Sequence, residues 1–455
     1  MGAERSGSRL GQGAAPVPTL GTGDAAALIL GIVIGAGIFR APPVVAASAG
    51  SSEATIAAWA LGGVVSLAGA MCYAELAATY PSAGGDYHFL SRALGRGVAF
   101  LFGWARLTVI PTGSLALLAF VFGDYVADLA GRPDAASGLA AAMVVGVTFL
   151  NLAGLRPARG VQNALTVALV LGLIALIATG FLVDAAPPEP AHAGRPPAFG
   201  LAMVFVLLTY GGWNEAGYVS AELRGGRRAI AAALGLSLAA VTVLYVLTNI
   251  ATLRALGLSG MQRSGAVAAD LLVRGIGPWG GRAFTALVVA AVLTSANATL
   301  FMASRQVFAF GRDFAPFAGL GRWDGRAGAP SNAILLQGAI ALALVAFGGA
   351  SRSGFEAMVA YTAPVFWLFF LLTGISLFVL RRRDRATPRP FRVPLYPVTP
   401  LVFCAACAFL LWSSVAHAGP GAALGLGVLA TGVPLWLTVR RAPIRRAAAR
   451  KEEVA

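Results

Sequence analysis

The chain has 455 residues, 58% of them hydrophobic and 12% charged, and a net charge of +15. Soluble globular domains carry about 25% charged residues, so the composition excludes a water-soluble enzyme and indicates an all-α membrane protein built from helices of about 20 apolar residues each. The basic residues are all arginine except Lys451 and stand in short clusters between apolar stretches, not on an aromatic-studded basic surface, which argues against nucleic acid as a partner.

Residues 1–23 are polar, glycine-rich and mildly basic, and lack the apolar core of a signal peptide. They are expected to form a cytoplasmic N-terminal tail. Twelve apolar segments follow and are predicted as membrane helices: 24–48, 54–79, 98–127, 136–154, 161–183, 198–221, 230–254, 281–308, 331–349, 355–380, 398–416 and 420–439. The first contains GIVIGAGIFR at 31–40. As a dinucleotide fingerprint it fails, because Arg40 stands where the third glycine belongs and Pro42 and Pro43 follow where a helix should. Two readings stay open. Gly31 and Gly35 are a small-xxx-small pair that lets helices approach, or the glycines break the helix inside the membrane. The third segment is long enough to tilt and carries Arg106, expected to face a buried carboxylate or the substrate.

The sixth segment reads FVLLTYGGWNEAGYVSAE, with Gly211-Gly212 in mid-span followed by Trp213, Asn214 and Glu215. Polar and ionisable residues at that depth are costly and usually face a cavity. The eighth carries Ser295, Asn297 and Thr299, suited either to hydrogen bonds between helices or to ligation of Na⁺. Cys404 and Cys407 lie in an apolar stretch, Cys72 is distant in sequence, and the three histidines are scattered. No disulfide framework and no metal site are expected. The connections near 184–197 and 255–280 are Pro- or Gly-rich and short, leaving no soluble domain, and residues 440–455 form a basic tail.

With the N-terminus inside, most of the 34 Lys and Arg residues fall in loops on the cytoplasmic side. The positive-inside rule then places both termini in the cytoplasm, as an even number of helices requires. Glu75 and Glu222 fall near cytoplasmic helix ends and are expected to pair with loop arginines. The run Arg381-Arg382-Arg383 is an inside anchor that can also touch anionic lipid.

The two glycine-interrupted segments are the first and sixth of twelve. If helices 1–5 (24–183) and 6–10 (198–380) are repeats, the breaks occupy corresponding positions. Five is odd, so the repeats have opposite topology, the pattern of secondary transporters. Helices 11 and 12 (398–439) then lie outside the repeats and are expected to be peripheral or at an oligomer contact. Broken helices leave N–H and C=O groups without partners. Free N–H groups suit a carboxylate and free C=O groups an ammonium, so the pair suits an amino acid.

Five stretches carry a resemblance over almost the whole chain: GIVIGAGIF, CYAELAATYPSAGGDYHFL, YGGWNEAGYVSAELRGGRRAI, SANATLFMASRQVFAFGRD and RPFRVPLYPVTPLVF. The chain resembles the amino acid–polyamine–organocation transporters. Within them it is most similar to the L-type amino acid transporter branch and its bacterial relatives. The resemblance implies the leucine-transporter type of fold, a 5+5 inverted repeat with helices 1 and 6 discontinuous. It implies that the backbone around Gly35, Ala36 and Gly37 holds the substrate carboxylate. The carbonyls of Val33, Leu208 and Gly211 would hold the amino group, while Ile38, Trp213 and Asn214 shape the side-chain pocket or gate. The sequence departs from the family at three places: Ala36 where serine is common, Leu208 (with Tyr210 two residues on) where the gate is usually phenylalanine, and Leu169 where many members carry a lysine. Members that join a glycoprotein heavy chain do so through a cysteine after helix 3, and the loop DYVADLAGRPDAASG has none.

The expectation is a secondary active transporter of neutral amino acids in the cytoplasmic (inner) membrane. It works by alternating access, as an exchanger or a proton-coupled symporter. Glu215 is the candidate proton carrier, and Ser295 and Thr299 are the candidates for Na⁺ coupling. No enzyme activity, cofactor, metal or disulfide-linked heavy chain is expected. The alternatives are an amino acid sensor that does not translocate and a polyamine or amine permease of the same family.

Overall fold

A phenol donates into the first bend of the chain. α1 (Gly37–Ala49) has Pro42 and Pro43 inside it, and a proline has no N–H to return to the carbonyl four residues back. The carbonyl of Phe39 is thereby left over, and the hydroxyl of Tyr125 donates to it at 3.0 Å. The computed structural model describes residues 29–31, 33–82, 84–154, 159–187, 198–215, 228–325, 327–351, 353–417 and 419–440. The predicted N-terminal tail (1–23), all but Arg440 of the predicted C-terminal tail (440–455), and Glu222 lie outside them. The described residues are mainly helical, and their β content is one isolated bridge between Asp324 and Ala329.

After α1, Gly50 turns left-handed and Ser51 caps α2 (Ser52–Thr79) by accepting from the Ala54 N–H. There follow α3 (Gly85–Leu94), α4 (Arg96–Thr108), α5 (Ile110–Leu129), α6 (Ala136–Leu152), α7 (Arg159–Leu182), α8 (Phe199–Thr209), α9 (Arg228–Arg263), α10 (Val267–Ile276), α11 (Pro278–Asp313), α12 (Ser331–Gly349), α13 (Gly354–Arg383), α14 (Val398–His417) and α15 (Gly419–Val439). Ten helices among the described residues are long and apolar enough to cross a membrane. They coincide with ten of the twelve predicted segments. The first and sixth segments yield short helices instead, α1 of 13 residues and α8 of 11.

Three features depart from the sequence expectation. The third segment is one 34-residue span made of α4 and α5, bent at Val109 just ahead of Pro111, which cannot donate to the preceding turn. The connection at 255–280 is largely helical. Gly257 kinks α9 at φ 72°, and α10 then packs on α7 and α11. Finally, α14 is exposed along its outer face, as a peripheral helix is, yet its inner face reaches the centre. It packs against α2, α8 and α13, and Phe403 is buried beside Trp213 and Phe370.

α2 is the hub that α8, α9 and α14 share. Gly62 and Gly63 make that possible: a Cβ there would fall 2.3 Å from a Val206 methyl and 2.3 Å from the Thr242 hydroxyl. At its far end Glu75, 1% exposed, accepts a bidentate contact from Arg381, with Nε 2.7 Å from Oε1. It also accepts from the Val393 N–H at 2.6 Å and faces Arg389 at 3.6 Å. The predicted pairing of Glu75 with arginines is met. Beside it Asp384 joins Arg92 at 2.9 Å and the Tyr80 hydroxyl at 3.1 Å. Removing one partner of a buried ion pair leaves the other uncompensated. Glu75→Ala is therefore expected to destabilise the fold by about 3 kcal/mol, read as a lower midpoint of thermal unfolding in detergent. An unchanged midpoint would show that this joint contributes nothing.

Candidate functional site

The first segment is helical at 29–31 and at Val33, then opens. The Ile34 N–H still reaches the Leu30 carbonyl at 2.8 Å, but the Gly35 N–H turns back to Val33 at 2.8 Å. α1 starts at Gly37 with Ala36 as its cap residue, and no side chain caps it. The N–H groups of a first turn have no partner inside the helix, and they carry the positive end of its dipole. A Cβ on Gly35 would meet nothing closer than the Val33 carbonyl at 4.0 Å, so the chain faces open space there. Ile38 is buried one residue into the helix.

The sixth segment opens just after α8. The Tyr210 N–H still bonds to Val206 at 3.0 Å, whereas the Gly211 N–H turns back to Leu208 at 3.1 Å. Gly212 takes φ 103°, a left-handed angle that L residues rarely adopt. A single 3₁₀ turn, Trp213–Glu215, follows. The two openings touch: a Cβ on Gly37 would lie 2.9 Å from Thr209 Oγ1 and 3.2 Å from its Cα.

The predicted site residues separate into three groups around this contact. Gly35, Ala36, Gly37 and Ile38 sit at the first opening, and Leu208 and Gly211 at the second. Tyr210 is turned the other way. Its hydroxyl donates to the Trp59 carbonyl at 3.0 Å, and its ring lies 5.1 Å from that of Tyr245. Tyr245 in turn donates to the Val33 carbonyl at 3.0 Å, so that carbonyl accepts two hydrogen bonds. Trp213 is buried edge-on to Tyr73 at 5.1 Å and beside Phe370 at 5.4 Å. Asn214 lines a small cavity of about 10 Å³, room for one water, together with Asp86, Arg106, Phe102, Phe366 and Phe370.

The ion-coupling candidates are not brought to the openings by any contact among the described residues. The Glu215 backbone belongs to the 3₁₀ turn, but its side chain lies outside the described residues. Ser295 and Thr299 are half-buried on α11. α11 meets α1 where Phe284 lies edge-on to Phe39 at 5.4 Å, and the two hydroxyl residues stand ~16–22 Å further along the helix. Asn297 accepts from the Asn151 side chain at 2.7 Å, as expected of a bond between helices. Arg106 donates from Nε to Gln306 at 2.8 Å. Leu169 is buried in the apolar core. Among the described residues no group of three His, Cys, Asp or Glu is suited to a metal, and the three cysteines are free. Tyr245 and Thr209 are not legible in the sequence as site residues: each is one polar residue in an apolar run. Asp86 follows Gly84-Gly85, a local turn signal that marks a helix start but not a cavity.

A family model described as amino acid permease matches residues 20–438. The chain belongs to the amino acid permease family. Among its curated relatives, the b(0,+)-type amino acid transporter 1 of Mus musculus is 30% identical over 402 residues, covering 85% of the permease and 80% of the relative. The large neutral amino acids transporter small subunit 2 of Mus musculus is 30% identical over 452 residues, covering 95% and 83%. The Homo sapiens protein of the latter name is 29% identical over 445 residues. The permease is therefore similar to amino acid transporters along nearly its whole length.

The contact between the openings is testable. Gly37→Ala presses a methyl against Thr209 and is expected to weaken amino acid binding at least tenfold while leaving the protein folded. Adding Thr209→Ala removes the Oγ1 and methyl clash and should restore part of the affinity. Binding of a labelled amino acid to purified protein, with the unfolding midpoint as control, reads both.

Proposed function

We propose that the permease is a secondary active transporter that carries neutral amino acids across the cytoplasmic membrane by alternating access. It has twelve membrane helices, of which the first and sixth are discontinuous. Residues 24–183 and 198–380 form a 5+5 inverted repeat of the leucine-transporter type, and 398–439 lie outside it. The observation that carries this reading is the meeting of two interrupted segments at Gly37 and Thr209. It offers an uncapped helix N-terminus on one side and carbonyls at chain reversals on the other.

In this reading the backbone around Gly35, Ala36 and Gly37 holds the substrate carboxylate, through the uncapped N–H groups of the first turn of α1. The carbonyls of Val33, Leu208 and Gly211 receive the ammonium, with Ile38, Trp213 and Asn214 forming the surrounding wall and Tyr210 behind it, its ring against Tyr245. Backbone groups suffice because both substrate charges cancel. The name of one relative, a transporter of large neutral amino acids, supports a neutral substrate. Both termini are cytoplasmic, on the arginine-rich side. Coupling runs by exchange or through a proton on Glu215, with Ser295 and Thr299 as the positions for Na⁺ if it is used. A disulfide-linked heavy chain is not part of this reading, because the loop DYVADLAGRPDAASG offers no cysteine for one.

Uptake of a labelled amino acid panel into proteoliposomes tests the proposal. Vesicles would be empty or preloaded with amino acid, with and without an inward proton gradient. Flux of neutral amino acids is expected. Flux confined to preloaded vesicles means exchange, and flux driven by the gradient means symport. In the second case Glu215→Gln should flatten the pH dependence of uptake. Binding without flux would replace the transporter with a sensor, and flux of amines alone would move the substrate class.

A further inference from the structure

Both interrupted segments send a short helix toward the arginine-poor end of the molecule. α1 runs there from Gly37, and α8 returns from there to Thr209. Where their outer ends meet, the Ala198 N–H donates to the Ser48 carbonyl at 2.8 Å. α2 then starts at that end and carries Glu75 to the opposite one. A route from the openings to the arginine-poor end therefore runs along α1 and α8.

One turn outward of the contact between Gly37 and Thr209, both helices meet the same side chain. Arg40, three residues beyond Gly37, holds its guanidinium carbon 5.8 Å from the centre of the Phe355 ring. Phe205, four residues before Thr209, stacks on Phe355 with ring centres 6.0 Å apart. Phe355 stands in the first turn of α13. Arg40 also ties this layer to its neighbours. Its Nη2 lies 3.1 Å from Asp124 Oδ2 on α5, and its Nη1 donates at 3.1 Å to the carbonyl of Gly265, between α9 and α10. Beside the pair, Tyr125 donates to the Phe39 carbonyl at 3.0 Å.

The two ends of the molecule are held with unequal strength. Glu75 is 1% exposed and grips Arg381 with both oxygens, so breaking that joint strands a buried charge. The side chains of Arg40 and Asp124 are 19% and 32% exposed, and the Arg40 Nε has no partner. An ion pair this open to water holds weakly, and water takes up both charges when it parts.

We propose that the Arg40–Asp124 pair, with Phe355 beneath it, is a latch that closes the substrate site toward the arginine-poor face and parts to admit substrate from that side. This rests on the transporter reading above and names the contact that moves. Opening separates α1 and α8 from α5 and α13. The pair is neutral as a whole, so its parting moves no net charge through the membrane. Phe205 and Phe355 supply the apolar plug under the pair, and the two charges set how often the plug lifts.

Thiol labelling reads the latch without relying on flux. Gly35→Cys places a reporter at the first opening, where a Cβ meets nothing closer than the Val33 carbonyl at 4.0 Å, and the unaltered protein serves as the blank for the three native cysteines. In substrate-free proteoliposomes of known orientation, a membrane-impermeant maleimide is added from one face at a time. Asp124→Asn is expected to speed labelling from the arginine-poor face about fivefold, the worth of a partly exposed ion pair, with no rise from the arginine-rich face. Phe355→Leu removes the ring beneath the guanidinium and leaves both charges. It should give the same one-sided rise, and it carries the test if Asp124→Asn does not fold. Rates unchanged at both faces, or raised equally at both, overturn the latch. Absence of amino acid flux in the unaltered permease overturns the transporter, whereas a one-sided rise in labelling keeps the latch as the gate to the site.

Discussion

A backbone polar group in hydrocarbon must find a partner inside the protein, because no water is there to supply one. Most of this permease meets that demand with unbroken helix. Where the helix is broken, tyrosine meets it. Tyr125 donates to the Phe39 carbonyl that Pro43 leaves over, Tyr245 to Val33 beside the first opening, and Tyr361 to Thr108 at the bend between α4 and α5. All three phenols are buried. A phenol serves well here, because its ring packs like any core aromatic while its single O–H reaches a carbonyl on a neighbouring helix. The irregular backbone is thus fixed by helices other than its own, and the site keeps its shape because α5 and α9 hold it.

The same logic explains why the two short helices can sit at the centre. α1 and α8 have too few turns to span a bilayer alone. They pack on each other and on α2, α1 also on α9 and α8 also on α14, and Gly62 of α2 lets Val206 of α8 come close. At the arginine-rich end the order is electrostatic. Glu75 and Asp384 tie α2, α3, α13 and the chain before α14 into one joint. The permease is therefore rigid at its long helices and jointed by polar contacts at its end, with the openings in between.

Much of this is legible in the sequence, and the reason is hydropathy. A membrane span needs about 20 apolar residues in a row, so ten helices announce themselves. Paired glycines in two further segments announce the openings. What stays hidden depends on three dimensions. The bend at Val109 follows from Pro111, but its value depends on the Tyr361 phenol that accommodates it. α10 reads as loop because its glycine-flanked run is too short for a span, and tertiary contacts with α7 and α11 decide it. α14 reads as peripheral from its position after the repeats, although Phe403 reaches Trp213. Tyr245 is a single residue in LYVLTNI, and nothing local says that its hydroxyl ends at Val33. The charges of Asp86 and Arg106 are visible, but their convergence on one cavity is not.

The hydrogen bond from Tyr245 to Val33 bears on what loading the site means. That carbonyl already accepts from the Gly35 N–H and from the phenol, so in the proposed mechanism an arriving ammonium displaces a donor rather than filling a vacancy. One hydrogen bond is traded for another, and the net gain in such a trade is small, of order 1 kcal/mol. The empty carrier is never left with a bare dipole in hydrocarbon, and the loaded one is never held too firmly. Keeping the two states close in energy is what allows a machine to let go of its cargo on the far side and begin again.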